Sequence, residues 1–473
     1  MLFNTLDFAI FFPIVLTLYW TVFKKSLKLQ NIFLVVVSYT FYSFWDWRFL
    51  SLIFLSSIVD YSVGYYLGKT EGKAKRKWLL FTSLFFNLGL LLIFKYFNFF
   101  VESFVSAFSV FGTEFNVTSW QILLPVGISF YTFQTLSYTI DIYRRKIQPT
   151  KDVVSFFAFV SFFPQLVAGP IERASHLLPQ FQVKRKFDYN KNVEGLRLIL
   201  GGLFKKMVIA DNCALLVNSI FENYQMESGS TLFFGAVFFA FQIYGDFSGY
   251  SDIAIGTSRL LGFDLMKNFN FPYLAQNMSD FWRRWHISLS TWFRDYVYIP
   301  LGGSRVSKFR LIINILIVFV VSGLWHGANL TFLFWGFIHA LFVIPVVLFW
   351  RKDVVFSKER KWPTFKELFN IGFTFVIVVL AWVFFRAETI TDAFQYLEII
   401  FSKSIVTMPF IPRSAVLYLF IYMVLEWLQR HRDHVLDISH LKNKYVRYGV
   451  YYVVLYCIFY FAGDLQPFIY FQF

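Results

Sequence analysis

Charge and cysteine are the two scarcities of this chain. Only 15% of its 473 residues are Asp, Glu, Lys or Arg, against roughly 25% in soluble domains. A soluble fold could not hide an apolar fraction of 57%, because surface remains even when a core is large. The two cysteines, Cys213 and Cys457, are far apart and belong to no CxxC or Cys/His cluster. That excludes a disulfide framework and a zinc site; both read as small buried apolar side chains. HExxH spacing is missing too, so no metal ligands are assigned. The amino terminus lacks the basic start and small-residue cleavage site of a secretory signal. Lys24, Lys25 and Lys28 follow its apolar stretch, which predicts a retained first span with the N-terminus outside. Gly/Ser linkers, low-complexity tails and internal repeats are also missing. The chain reads as one membrane domain, with N-terminal spans over 1–168, a candidate catalytic core with re-entrant segments over 169–350, and C-terminal spans plus a terminal aromatic motif over 351–473.

What is abundant is apolar surface. Aromatic residues make up 23% of the chain, 66 of them Phe, and the mean hydropathy is +0.54. These values predict a polytopic protein embedded in a lipid bilayer. A net charge of +15 would suggest nucleic acid in a soluble protein. Here the basic residues cluster briefly between apolar runs, as membrane topology demands, and no nucleic-acid partner is expected.

A span needs about 20 apolar residues. Candidates fall near 5–23, 31–45, 49–67, 78–97, 121–140, 153–168, 193–217, 231–261, 311–325, 330–350, 371–385, 415–427 and 450–463. Basic loops at 24–28, 69–77 and 144–146 alternate with 101–119, which carries Glu102 and Glu114 and no Lys or Arg. The positive-inside bias puts the basic loops in the cytoplasm. Further basic clusters lie at 184–186, 305–310, 351–361 and 430–432. Pro164, Gly169, Pro170 and Pro179 interrupt one apolar stretch, and Gly245, Asp246 and Gly249 another. Irregular backbone at membrane depth needs a protein or aqueous lining, so re-entrant helices around a funnel are expected.

One polar side chain stands out. Residues 311–325 contain no charge, and His326 follows directly. An ionisable group at membrane depth is expensive and marks a functional site by default. In Ser322–Asn329, helical spacing would place Ser322, His326 and Asn329 on one face. A neutral imidazole there suits a general base; the alternative is a core histidine satisfied by a backbone carbonyl. His339 has apolar neighbours and reads as core, while His431, His434 and His440 sit in a charged loop and read as solvated.

Forty residues before His326 lies His286, within Phe281–Gly303. At about 100° per residue, Trp282, Trp285, Leu289, Trp292, Phe293 and Tyr296 share an aromatic face. His286 falls at its edge, beside Arg283, Ser290 and Arg294. This reads either as an interfacial helix with snorkelling arginines or as a cavity wall whose guanidinium groups hold phosphates of a cytosolic donor. Asp246 and Asp252 need partners in their apolar setting, with Arg283 or Arg284 as candidates, and read first as scaffold. Glu172 and Arg173 read as capping a re-entrant helix.

The stretches MLFNTLDFAIFFPIVLTLYW, AGPIER, GLFKKMVIAD, YGDFSGYSDIAIG, FWRRWHISLSTWFRDYVYIPLGG, SGLWHGAN and the ending FIYFQF together resemble the membrane-bound O-acyltransferase (MBOAT) superfamily. The likeness is to its bacterial AlgI-like branch, which serves alginate and other polysaccharide O-acetylation, and it runs through essentially the whole chain in order. The resemblance implies an all-α polytopic integral membrane protein of MBOAT fold. About 11–13 transmembrane helices, with re-entrant or interfacial helices, would surround a central funnel or tunnel. His326 matches the family's catalytic histidine and His286 its second motif histidine.

The implied reaction moves an acetyl group from a cytoplasmic thioester, acetyl-CoA as donor substrate, with no bound cofactor. It would place the group on an exported polysaccharide through an extracytoplasmic SGNH-type acetyltransferase, alongside polysaccharide synthesis and export machinery, in a bacterial inner membrane. Arg283, Arg284, Trp285, Arg294, Trp325 and Asn329 become donor- or substrate-binding candidates, and Ser322 a supporting one. His326 would deprotonate a hydroxyl, with Asn, Trp or backbone N–H stabilising the oxyanion. Tyr470, in the aromatic ending, becomes a possible acyl carrier, because a phenol leaves at a pKa of about 10; the alternative is an interfacial anchor. D-Alanyl transfer to teichoic acid (DltB-like), peptidoglycan O-acetylation and a proton-coupled transporter or flippase are the competing functions. The last is disfavoured by the lack of an inverted repeat of broken helices.

Overall fold

The structure is a computed structural model that describes residues 1–109, 123–349 and 362–471. Several expected features lie outside them: residues 110–119 of the expected 101–119 loop, with Glu114, the first residues of the 121–140 span, the 351–361 basic cluster, and Gln472 and Phe473; the start of that loop, with Glu102, is instead helix through Ser109. Among the described residues the chain is all helical, with no strand. Every expected span coincides with helix over most of its length. Among the described residues six helical stretches are long and apolar enough to cross a membrane: Leu27–Lys69, Lys73–Val105, Gly229–Leu260, Lys308–His326, Leu330–Phe349 and Phe365–Arg386. Leu6–Thr21 is apolar but shorter. Large side chains on these helices, such as Phe85 and Phe373, point outward, as lipid-facing positions require. The chain is a multi-pass membrane protein.

It divides into two compact units, residues 1–192 with 257–266, and residues 193–256 with 267–473. Three helices of the first unit start at side-chain caps: Thr5, Ser26 and Asp152 each accept a first-turn N–H, satisfying donors that the helix leaves orphaned. Polar residues join helices inside it. Asp60 Oδ1 accepts from Ser83 Oγ at 2.5 Å and Asp60 Oδ2 from Asn87 Nδ2 at 2.8 Å, bonds that hold spans together where water cannot compete. Past Ser161 the chain breaks as expected, into the short helical pieces Phe163–Leu166, Ala174–Leu177 and Leu178–Phe181. Glu172 does not cap there. Its carboxylate binds His176 Nδ1 at 2.7 Å and accepts the Met266 N–H at 2.5 Å. The hydrogen bond to Glu172 raises the His176 pKa above its ordinary value. Arg173 occupies the position before Ala174–Leu177 without a side-chain cap bond.

In the second unit one expectation fails. Gly245, Asp246 and Gly249 do not interrupt the chain; they lie inside the continuous 32-residue helix Gly229–Leu260. The glycines serve close packing instead. A Cβ on Gly249 would stand 2.7 Å from the Gly202 carbonyl oxygen, and one on Gly245 2.9 Å from that of Lys205. Small residues let membrane helices approach this closely. The segment they pack against runs from helix into a π-helical turn at Lys205–Ala210, a local widening that often marks functional positions. Lys308–His326 and Leu330–Phe349 likewise meet through glycine: a Cβ on Gly323 or Gly336 would collide with the carbonyls of Phe332 or Phe319.

Candidate active site

The apolar helix Lys308–His326 ends at His326, which is 3% exposed. Gly327 turns extended behind it, so the helix delivers the imidazole at its carboxyl end. Asn329 therefore does not share a helical face with Ser322 and His326. It accepts the Thr331 N–H at 3.0 Å and donates to the Glu388 carbonyl at 2.9 Å, capping the next helix. Ser322 lies buried one turn before His326.

His286 is placed by a break. The expected single aromatic helix is two short ones, Met278–Arg284 and Ile287–Phe293, with His286 between them at φ +41°. A left-handed conformation is uncommon for a residue with a Cβ and costs on the order of 1–3 kcal/mol. Outside partners hold it. The Asn268 carbonyl accepts the Ile287 N–H at 2.9 Å, and the Arg284 carbonyl accepts the Asn270 N–H at 2.9 Å. Asn268 Oδ1 accepts from Ser288 N at 3.3 Å and Ser288 Oγ at 2.9 Å, while its Nδ2 donates to Ser251 Oγ at 3.1 Å. His286 is fully buried, and among the described residues neither ring nitrogen has a hydrogen-bond partner.

Three of the singled-out residues meet. The Tyr470 ring lies 5.7 Å from that of His326 and 6.4 Å from that of His286, and the two imidazoles are 6.4 Å apart, centre to centre. Trp325 joins them, 5.0 Å from His326 and 5.9 Å from His286. Aromatic walls close the group. Phe247 packs 4.6 Å from His286 and 4.4 Å from Tyr470, and Trp335 and Phe385 lie 5.2 and 5.3 Å from His326. Such a lining excludes water, which strengthens any polar interaction made within it.

The remaining candidates lie elsewhere. Trp285 is buried in an aromatic core with Phe269 at 5.1 Å and Trp382 at 5.1 Å. Arg284 pairs with Asp280 at 2.8 Å, Arg294 with its neighbour Asp295 at 2.8 Å, and Arg283 is exposed. The arginines thus do not neutralise Asp246 and Asp252. Lysines do: Lys205 binds Asp252 at 2.8 Å, and Lys206 binds Asp246 at 2.9 Å and Asp211 at 2.8 Å. Lys205 and Lys206 open the π-helical turn that follows the helix Tyr189–Phe204, and their ammonium groups reach Asp252 and Asp246 on the packed Gly229–Leu260 helix. Two adjacent lysines inside the 193–217 apolar run were the available signal, since charges there must find counter-ions. His339 is buried as expected, though not among apolar groups alone: its Nδ1 accepts from Trp282 Nε1 at 3.2 Å. His434 is not solvated. It is buried, 3.1 Å from a Glu194 carboxylate oxygen, and burial lowers its pKa despite that partner. Both cysteines are free, Cys213 buried and Cys457 partly so.

A buried histidine pair thus lies within 6.4 Å, ring to ring, of a tyrosine inside an apolar helical bundle, which puts bases beside a phenol. The membrane-bound O-acyltransferase family model matches residues 39–387, and the chain belongs to that family. It is 39% identical to the probable alginate O-acetylase AlgI of Pseudomonas aeruginosa over 396 residues, 83% of this chain and 73% of that protein. It is 36% identical to the peptidoglycan O-acetyltransferase of Helicobacter pylori, covering 84% of this chain and 79% of the relative. A more distant likeness, 27% identity over 56% of this chain and 69% of the relative, is to the teichoic acid D-alanyltransferase of Bacillus subtilis. The protein is an O-acyltransferase.

Proposed function

We propose that the protein takes an acetyl group from cytoplasmic acetyl-CoA and passes it through its core, for O-acetylation of an exported polysaccharide. The observation that carries this reading is the Tyr470 ring 5.7 Å from the His326 ring within the aromatic enclosure. His326 takes the phenolic proton as the tyrosine oxygen attacks the thioester carbonyl. The new C–O bond forms, the C–S bond breaks, and the coenzyme A thiolate recovers the proton from the imidazolium. An acceptor hydroxyl then attacks the aryl ester, and the phenolate leaves and is reprotonated. A phenol, with a pKa of about 10, is a better leaving group than a sugar hydroxyl. His286 lines the same enclosure and orients the reacting groups.

The protein works in a bacterial inner membrane with its N-terminus outside, handing the acyl group to an SGNH-type acetyltransferase beside the polymer export machinery. Alginate-like polysaccharide is the first acceptor to test, and the similarity to a peptidoglycan O-acetyltransferase makes peptidoglycan the second. Proteoliposomes given acetyl-CoA labelled in the acetyl group, the partner transferase and each polymer provide the test. Label reaching one polymer, and lost in His326→Ala, supports the reading. D-Alanyl transfer instead of acetyl transfer would overturn it.

A further inference from the structure

The carboxyl-terminal tail is held by buried ions. Lys206, Asp211 and Asp246 have side chains only 8%, 2% and 3% exposed. Removing three charges from water is costly, and apolar side chains of similar volume often stabilise a fold as well. These ions reach beyond one another. Lys206 Nζ donates to the Gln466 carbonyl at 3.1 Å, and Asp246 Oδ2 accepts the Ile469 N–H at 2.7 Å. At the root of the tail, the Gly463 N–H donates to the Met207 carbonyl at 2.9 Å, and Asn212 Nδ2 donates to that of Phe461 at 2.8 Å. A Cβ on Gly463 would stand 2.9 Å from Asn212 N, so the approach needs glycine. Phe468 is buried, 4.9 Å from the Tyr250 ring.

We propose that Lys206, Asp211 and Asp246 form a clamp that fixes the register of the tail, making them positioning residues for Tyr470. The inference rests on the reading that Tyr470 carries the acyl group. Its physical basis is the kind of bond used. Lys206 and Asp246 grip backbone atoms at residues 466 and 469, one of them immediately before the tyrosine. Ile469–Phe471 form a 3-10 turn, in which a slip of one residue moves a side chain about 2 Å along the axis and rotates it by about a third of a turn. The phenol would then leave His326. Asp211 supplies the second carboxylate that keeps the Lys206 ammonium in place.

The test places the photo-crosslinker p-benzoylphenylalanine at position 470 of the full chain in detergent. Its crosslinks are mapped in otherwise native, Lys206→Met, Lys206→Arg and Ile469→Pro backgrounds. Ile469→Pro removes the gripped N–H and leaves the buried ions intact, which guards against misfolding of the lysine variant. The clamp predicts crosslinks at residues 325–326 and near Phe247 in the native background, their loss in Lys206→Met and Ile469→Pro, and retention in Lys206→Arg. In chains with Tyr470 restored, acyl transfer should fall about 100-fold, the usual cost of an ångström-scale misplacement, with KM for the thioester unchanged. Native crosslinks and native turnover in folded Lys206→Met and Ile469→Pro would overturn the clamp. Absence of acyl on Tyr470 in the wild type would defeat the carrier reading alone, and the crosslink map would still decide whether the clamp sets the tail.

Discussion

The Tyr470 ring stands 5.7 Å from the ring of His326 although 144 residues separate them in sequence. One residue closes an apolar helix and the other lies in the carboxyl-terminal tail, so two stretches far apart in sequence bring an imidazole beside a phenol ring.

Removing the base should remove the reaction while sparing the fold. His326→Gln keeps a polar side chain of similar reach but cannot accept a proton at neutral pH. Acyl transfer in proteoliposomes should fall by about 10²–10⁴, the usual contribution of a positioned general base. Thermal unfolding should change little.

Tyr470→Phe separates the carrier from the anchor. The ring and its contacts with Phe247 and Phe468 survive, so stability should fall by no more than about 1 kcal/mol, the net value of one hydrogen bond. Transfer to polymer should nonetheless be abolished. Full polymer acetylation by this variant would mean the tail is only an anchor.

Asn268 holds the break that presents His286. Asn268→Ala removes the Oδ1 that accepts from the Ser288 N–H and hydroxyl and the Nδ2 that donates to Ser251. Losing these hydrogen bonds, each worth about 0.5–1.5 kcal/mol net, should lower stability by about 1–3 kcal/mol and lower transfer further than the stability loss explains. Denaturation and turnover of the same preparation provide the check.

Much of the fold was legible because the apolar runs are long and the bilayer dictates helix. His286, His326 and Tyr470 were legible as polar groups in apolar or aromatic surroundings. The break at Trp285–His286 was not, since a 100° periodicity is blind to the hydrogen bonds that Asn268 and Asn270 supply. Nor was the partner of Asp246: Lys206 lies 40 residues upstream, and only the packing of two helices shows that it, not an arginine, is nearest. The glycines of 245–249 misled for the same reason. Their lack of a side chain serves contact between helices, whereas sequence alone suggests a break.

Outside the spans, His434 gives a pH dependence of known sign. Burial lowers its pKa in the folded state, while Glu194, Asp252 and Asp437 oppose the shift. The unfolded loop therefore binds more protons below about pH 6.5, the ordinary histidine value. Stability of the 430–443 loop is complete above that pH and is lost as pH falls toward the lowered value. Hydrogen exchange of this loop should accelerate on acidification in the wild type, and His434→Gln should flatten the response.

The most direct measurement is mass spectrometry of the carboxyl-terminal peptide after brief incubation of the purified protein with acetyl-CoA, without any polymer acceptor. The account predicts one added acetyl group on Tyr470, absent in His326→Gln and discharged when the partner transferase and polymer are supplied. Polymer acetylation at full rate with no acetyl ever found on Tyr470 would contradict it.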